Sequence, residues 1–191
     1  MQKTAPRRIP LKTEGFAHPR RNVAALQIQR GQKVADFGAG SGAYTLAIAE
    51  MLEGAGHVYA IDVQRDLLRR IANEAARRGF RNVEIIWADL ETPRATKLVD
   101  RSIDLVLVSN LLFQVPEKKP VLEEARRILK VHGRLALIDW SDSFGGMGPT
   151  KQDVFKKEAA RTLAEETGFT LVREFEAGAH HYGLMLEIAS L

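Results

Sequence analysis

The chain has 191 residues, contains no cysteine and carries a formal net charge of +4. This length suits one domain of ordinary size, and the lack of cysteine excludes disulfides, cysteine nucleophiles and thiolate metal sites. No apolar run is long enough to span a bilayer, and the basic N-terminus lacks the apolar segment of a secretory signal. We therefore expect a single domain over residues 1–191, located in the cytoplasm, with no metal site.

Positive charge is concentrated at the start of the chain. Residues 1–33 hold eight lysines and arginines against the single acid Glu14. Prolines at positions 6, 10 and 19 disfavour regular structure, so residues 1–19 are predicted to form a basic, partly irregular arm. Such an arm either attracts nucleic acid or an anionic substrate, or is simply a solvated terminus.

Strands and helices alternate through the middle of the chain. Strands are predicted at 34–37, 57–61, 83–87, 103–108 and 134–139, and helices at 20–29, 43–52, 66–78 and 120–130. This alternation is typical of a doubly wound parallel sheet. After a helix at 153–166, strands at 169–175 and 182–188 are separated by a connection too short for a parallel crossover, which predicts an antiparallel hairpin. The expected fold is α/β, a Rossmann-like sheet of seven strands, mostly parallel, with an antiparallel strand in the C-terminal hairpin.

A glycine-rich turn follows the first predicted strand. Residues 36–42 read Asp-Phe-Gly-Ala-Gly-Ser-Gly and lead directly into a predicted helix. Alternating glycines let the backbone approach a ligand closely because no Cβ stands in the way, and the helix directs its free N–H groups at the turn. The carboxylate of Asp36 suits a ligand with an ammonium group better than a pyrophosphate.

Acids also follow the next two predicted strands, at Asp62 and Asp89. In an open parallel sheet, ligands bind at the carboxyl ends of the strands, so these side chains are expected to meet. An acid after the second strand can accept both hydroxyls of a ribose, and one after the third can accept the adenine amine. Val63 and Leu90 beside them can sandwich the base. Together with Asp36, these residues describe an adenosine that carries an amino acid.

Over nearly its full length the chain resembles the class I S-adenosylmethionine-dependent methyltransferases. Residues 36–42 match that family's D-x-G-x-G-x-G motif, residues 59–62 its second motif and residues 87–89 its third. Residues 102–139 are similar to the small-molecule enzymes related to ubiquinone and menaquinone biosynthesis. The resemblance implies S-adenosylmethionine as methyl donor and S-adenosylhomocysteine as product. It implies cofactor binding by Asp36, Gly38, Ala39, Gly40, Gly42, Asp62, Val63, Ala88, Asp89, Leu90 and Asn110.

Other interpretations of these residues remain open. The glycines also satisfy a dinucleotide-binding fingerprint, but a nicotinamide enzyme leaves Asp89 without a role and places Asp36 against a pyrophosphate. Asp62 could be the N-cap of the following helix, and Asp89 could cap a turn. For the acceptor, the resemblance favours a small molecule methylated on O, N or C. The alternatives are RNA or a protein as substrate, or a non-catalytic subunit that binds the cofactor.

Three residues near the C-terminus are candidates for the chemical step. His180 and His181 are adjacent in the predicted hairpin, where one is expected to point inward and the other outward. Either is a candidate for substrate binding or proton removal. Asp142 follows the fifth predicted strand in a glycine-rich segment, 141–149, which is either a substrate-facing loop or a plain connection.

Overall fold

Five helices and seven strands make up the described part of the computed structural model, residues 18–146 and 148–189. In chain order they are α1 (Pro19–Ala25), β1 (Lys33–Phe37), α2 (Ala43–Met51), β2 (His57–Asp62), α3 (Arg65–Arg77), β3 (Val83–Trp87), β4 (Ile103–Ser109), α4 (Lys118–Ile128), β5 (Leu129–Trp140), α5 (Lys157–Glu166), β6 (Phe169–Gly178) and β7 (His181–Ile188). Most of the predicted N-terminal arm, residues 1–17, and Met147 of the predicted loop lie outside the described residues.

The seven strands form one sheet in the order β3-β2-β1-β4-β5-β7-β6. Neighbouring strands from β3 to β5 are parallel, whereas β7 is antiparallel to both β5 and β6. This confirms the predicted α/β fold and its C-terminal hairpin. The strand order reverses between β1 and β4, which is where a doubly wound sheet opens a crevice at its carboxyl edge.

Helices cover both faces of the sheet. Val106 and Val108 of β4 point into a cluster with residues of α4 and α5, while Leu105 and Leu107 point into a second cluster with residues of α1 and α2. Burial on both faces explains why β4 and β5 are nearly continuous apolar runs. The same packing holds the strand ends rigidly, which fixes the positions of the residues that follow them.

Three of the predicted boundaries were wrong by four residues or more. The first helix ends at Ala25 rather than at residue 29. Strand β5 begins at Leu129, well before the predicted residue 134, because Leu129 already pairs with Ile103 before a shift in register. Helix α5 begins at Lys157 rather than at residue 153, because Asp153 closes a turn by accepting a hydrogen bond from the Thr150 hydroxyl at 2.6 Å.

The longest helix in the described residues, α3, has 13 residues. None of the described helices has both the length and the apolar character needed to cross a membrane.

Candidate active site

The turn between β1 and α2 is built from glycines in the left-handed region. Gly38, Gly40 and Gly42 have φ angles of 71°, 52° and 80°. The N–H groups of Gly38 and Ala39 both donate to the carbonyl of Ile61, which ties the turn to the end of β2. A Cβ on Gly38 would lie 3.0 Å from a methyl of Leu111, whereas one on Gly40 would meet only a backbone oxygen, 3.8 Å away. The turn therefore offers bare backbone at the carboxyl edge.

A groove of about 400 Å³ runs along this edge, from the glycine turn past the ends of β2 and β3. It is lined by seven of the predicted cofactor-binding residues, namely Gly38, Gly40, Asp62, Val63, Ala88, Asp89 and Leu90. The other four predicted residues do not line the groove, although each is within two residues of a lining residue in the sequence. They are Asp36, Ala39, Gly42 and Asn110. The structure thus brings together the residues expected to surround the adenosine.

Asp62 joins the glycine turn to the segment that follows β2. One of its carboxylate oxygens accepts from the Gly40 N–H at 2.9 Å, and the other accepts from the Gln64 N–H at 2.8 Å. The N-cap of α3 is Gln64, so the alternative that Asp62 itself is the N-cap was wrong. A carboxylate has about four acceptor positions, so Asp62 retains capacity for the two hydroxyls of a ribose.

Asp89, which follows β3, also lines the groove. Its carboxylate accepts from the Glu91 N–H at 3.0 Å, and its carbonyl accepts from the Thr92 N–H at 3.0 Å, so it also stabilises a turn. Leu90 is buried in the core, whereas Val63 is 55% exposed. These two apolar groups are the ones expected to hold the base.

Two oxygens suited to an ammonium group lie at the ends of β1 and β4. Asp36 is buried, with 1% of its surface exposed, and accepts from the Thr45 hydroxyl at 2.6 Å. Burial raises the pKa of Asp36 to about 6, although the bond from Thr45 opposes this. The buried side-chain oxygen of Asn110 has no hydrogen-bond partner within the described residues. An unmatched acceptor is costly, so a cationic donor from a ligand fits this place.

The structure also brings together two of the three candidates for the chemical step. His180 Nδ1 lies 2.8 Å and 3.1 Å from the two carboxylate oxygens of Asp142. The ring of Phe144 stacks on His180, with centroids 4.0 Å apart. The Ser141 N–H donates to the His180 carbonyl at 2.8 Å, so the segment after β5 is fastened to the β6–β7 turn. This arrangement orients the imidazole and leaves Nε2 as its other hydrogen-bonding atom.

Comparison with known proteins identifies the family. Residues 28–182 match the methyltransferase domain family. The chain belongs to that family.

Similar proteins include curated methyltransferases and a solved structure. A demethylmenaquinone methyltransferase from Listeria monocytogenes is 29% identical over 149 residues, with 73% of this chain and 61% of the relative covered. An aklanonic acid methyltransferase from Streptomyces is 33% identical over 117 residues, with 61% of this chain and 52% of the relative covered. The chain thus spans about half to three fifths of the length of these relatives. A crystal structure of a SAM-dependent methyltransferase from Aquifex aeolicus superposes with a TM-score of 0.83 at 26% identity, over 95% of this chain and 94% of that one.

The third candidate in this methyltransferase domain, His181, differs from its neighbour. It is 6% exposed, and neither ring nitrogen has a hydrogen-bond partner in the part of the chain that the structure describes. Its ring lies 4.3 Å from that of Trp140. Burial lowers the pKa of His181 to about 4, so its imidazole is neutral at pH 7. An imidazole with so low a pKa is a weak base, so His181 is a poor candidate for accepting a proton and His180 is left as the candidate.

Sequence reasoning missed five residues that line the groove: Gln64, Glu91, Leu111, Gln114 and Val115. Leu111, Gln114 and Val115 follow β4, where only Asn110 was singled out. The position of this segment next to a strand end was a usable signal, but Leu111 and Val115 carry no polar group that suggests binding. Their part in the groove follows from the way the turn after β4 folds against Gly38.

Proposed function

We propose that this domain transfers a methyl group from S-adenosylmethionine to a small-molecule acceptor. The observation that carries the proposal is the groove at the carboxyl edge, where Asp62, Asp89, Val63 and Leu90 line one space together with the bare backbone of Gly38 and Gly40. Carboxylates in this arrangement match a ribose and an adenine amine. A pyrophosphate on the glycine turn would be repelled by the carboxylate of Asp36.

In this proposal, each binding residue contacts a different part of the cofactor. Asp62 would hold the ribose hydroxyls, Asp89 the adenine amine, and Val63 and Leu90 the two faces of the base. The carboxylate of Asp36 would attract the ammonium group of the amino-acid tail, with the side-chain oxygen of Asn110 as a further acceptor. When bound, S-adenosylmethionine supplies an electrophilic methyl on a sulfonium, and S-adenosylhomocysteine is the product.

The chain's own contribution to the reaction is alignment and, for a protic acceptor, removal of a proton. Methyl transfer is an in-line displacement, so holding the acceptor atom on the correct line provides much of the rate. Asp142 orients the His180 ring through Nδ1, which leaves Nε2 to accept a proton from an acceptor hydroxyl or N–H. His181, neutral and buried, would pack against Trp140 and leave the proton to His180.

The names of two relatives favour a small organic acceptor, because they refer to demethylmenaquinone and to aklanonic acid. We extend only the class of acceptor to this chain. Incubation with labelled cofactor and fractionated cell extract identifies the acceptor by the fraction that takes up label. Label in RNA or in protein would contradict the proposal. So would cofactor binding without turnover on any fraction, which would indicate a non-catalytic subunit.

Calorimetric titration with S-adenosylhomocysteine tests the site directly. We expect the wild-type protein to bind it and Asp62→Ala to bind about tenfold more weakly or worse, because charged hydrogen bonds to the ribose are lost. Asp66→Ala is the matched control, since Asp66 is an exposed acid in the first turn of α3 that is outside the groove lining. Unchanged affinity in Asp62→Ala, or preferred binding of NADH by the wild type, would refute the assignment.

A further inference from the structure

An exposed tryptophan stands beside the groove without being part of its lining. Trp87 is the last residue of β3, at the edge of the sheet, and 59% of its surface is exposed. An indole so open to solvent would ordinarily be free to change rotamer. Here two contacts hold it. Its Nε1–H donates to the carbonyl of Val63 at 2.9 Å, and the guanidinium carbon of Arg65 lies 3.8 Å from the ring centroid.

These contacts link the two walls of the slot expected to take the base. In the proposed function Val63 is one wall. The other wall is Ala88 to Leu90, which continue the chain directly from Trp87, and all of these residues line the groove. Trp87 is also the register partner of Asp62, and the Ala88 N–H donates to the Asp62 carbonyl at 3.2 Å. The backbone of Trp87 therefore carries one wall, while its side chain is bonded to the other.

We propose that Trp87 and Arg65 are positioning residues that set the width of the nucleoside slot. The inference rests on the proposed function. Val63 lies between the end of β2 and the start of α3, and its carbonyl would lack this donor without Trp87. Fixing a wall before the ligand arrives lowers the entropy cost of binding. Arg65 stacks on the ring and keeps the indole in the orientation in which its N–H reaches Val63.

A purely structural role would leave a different signature. If Trp87 only covered the edge strand, its replacement would lower stability and leave the affinity for ligands unchanged. If the residue positions the nucleoside, the loss appears in the binding of any ligand with an adenosine, whether or not it has an amino-acid tail. The two roles are separated by comparing S-adenosylhomocysteine with 5′-methylthioadenosine, which lacks the tail.

The experiment is calorimetric titration of Trp87→Phe with both ligands. Phenylalanine keeps a ring under Arg65 but removes the N–H donor. We expect both affinities to fall by the same factor, about fivefold, the effect of one net hydrogen bond. Ile85→Ala is the matched control, because Ile85 lies on the same edge strand and side as Trp87, is 40% exposed and is outside the groove lining. Its affinities should equal those of the wild type.

A second variant avoids any change to the strand. Arg65→Ala removes the stacked cation from an exposed position, and we expect both ligands to bind about two- to fivefold more weakly. Arg69→Ala is its control, since Arg69 is an exposed arginine of the same helix, paired with Asp66, and should leave both affinities unchanged.

The outcomes distinguish the two proposals. A wild-type protein that binds neither ligand would contradict the proposed function, and the slot assignment would fall with it. A wild type that binds both, with Trp87→Phe and Arg65→Ala binding equally well, would overturn this inference alone. The inference is also overturned if either variant weakens the binding of S-adenosylhomocysteine but not that of 5′-methylthioadenosine.

Discussion

At the scale of single residues, the three acids at successive strand ends have different environments. Asp62 and Asp89 line the groove and bind backbone N–H groups. Asp36 is buried behind the turn and bonded to Thr45, and desolvation raises its pKa to about 6. One residue type thus provides acceptors that line the groove at two positions and, at the third, a buried carboxyl group whose ionisation depends on pH.

The raised pKa of Asp36 predicts that binding of S-adenosylhomocysteine depends on pH. Below about pH 6 the carboxyl group is protonated and no longer attracts the ammonium of the ligand, so affinity should fall as pH falls. One unit below the pKa, about a tenth of the protein is ionised, and we expect about tenfold weaker binding than at pH 8. Titration calorimetry across this range is the measurement.

Two controls isolate Asp36 from other groups that titrate near pH 6. The ligand 5′-methylthioadenosine has no ammonium group and should bind equally at both ends of the range. Asp36→Asn should bind S-adenosylhomocysteine weakly and without this pH dependence. A parallel pH profile for the two ligands in the wild-type protein would show that Asp36 does not hold the tail.

At the scale of elements, the groove is lined by strand ends and by the turns that follow them. Gly42 is the N-cap of α2 with φ of 80°, and an added Cβ there would lie 2.6 Å from Cγ1 of Ile71 in α3. The glycine turn therefore serves the packing of two helices in addition to its proposed role in binding the cofactor. The third glycine of the motif is thus required for helix packing, which an interpretation of the motif as a binding signal alone does not predict.

Replacement of Gly42 by alanine should cost more stability than the same change at Gly79. Both residues have φ near 80°, but a Cβ at Gly79 would have nothing within 4 Å. Gly79→Ala should lower the free energy of unfolding by about 1 kcal/mol, through left-handed backbone strain alone. Gly42→Ala should lose about 1–3 kcal/mol more through overpacking. Urea unfolding measures both, and equal losses would show that α3 moves aside freely.

At the scale of the whole molecule, the position of β7 determines which candidate residues for the chemical step come together. This strand lies between β5 and β6 and runs against both, which brings the turn before His181 to the same edge as the end of β5. His180 and Asp142 are 38 residues apart in the chain and meet only for this reason. The candidate proton acceptor is thus placed by topology.

We expect thermal unfolding to be a single transition, as for one domain. S-adenosylhomocysteine at about 100 times its dissociation constant should add about 2.7 kcal/mol of stability and raise Tm by about 5–10 °C for a chain of this size. NADH at the same concentration should leave Tm unchanged. Differential scanning calorimetry measures both, and two transitions, of which only one responds to the ligand, would contradict a single domain.

The amino-acid sequence by itself determined the class of fold and the outline of the groove at the carboxyl edge. Hydrophobic periodicity and the short C-terminal connection are local features, and so are the glycine turn and an acid one step beyond a strand. Because parallel strands end at a common edge, local placement was enough to predict that Gly38, Asp62, Asp89 and Leu90 would meet.

Only the tertiary structure decided the rest. The start of β5 depends on its pairing with β4, and the contribution of Leu111 and Val115 to the groove depends on how a turn packs against Gly38. The different environments of His180 and His181 depend on burial and on a partner far away in the chain. Desolvation and contacts between distant segments are set by the packing of the entire chain, and no short stretch of sequence contains them.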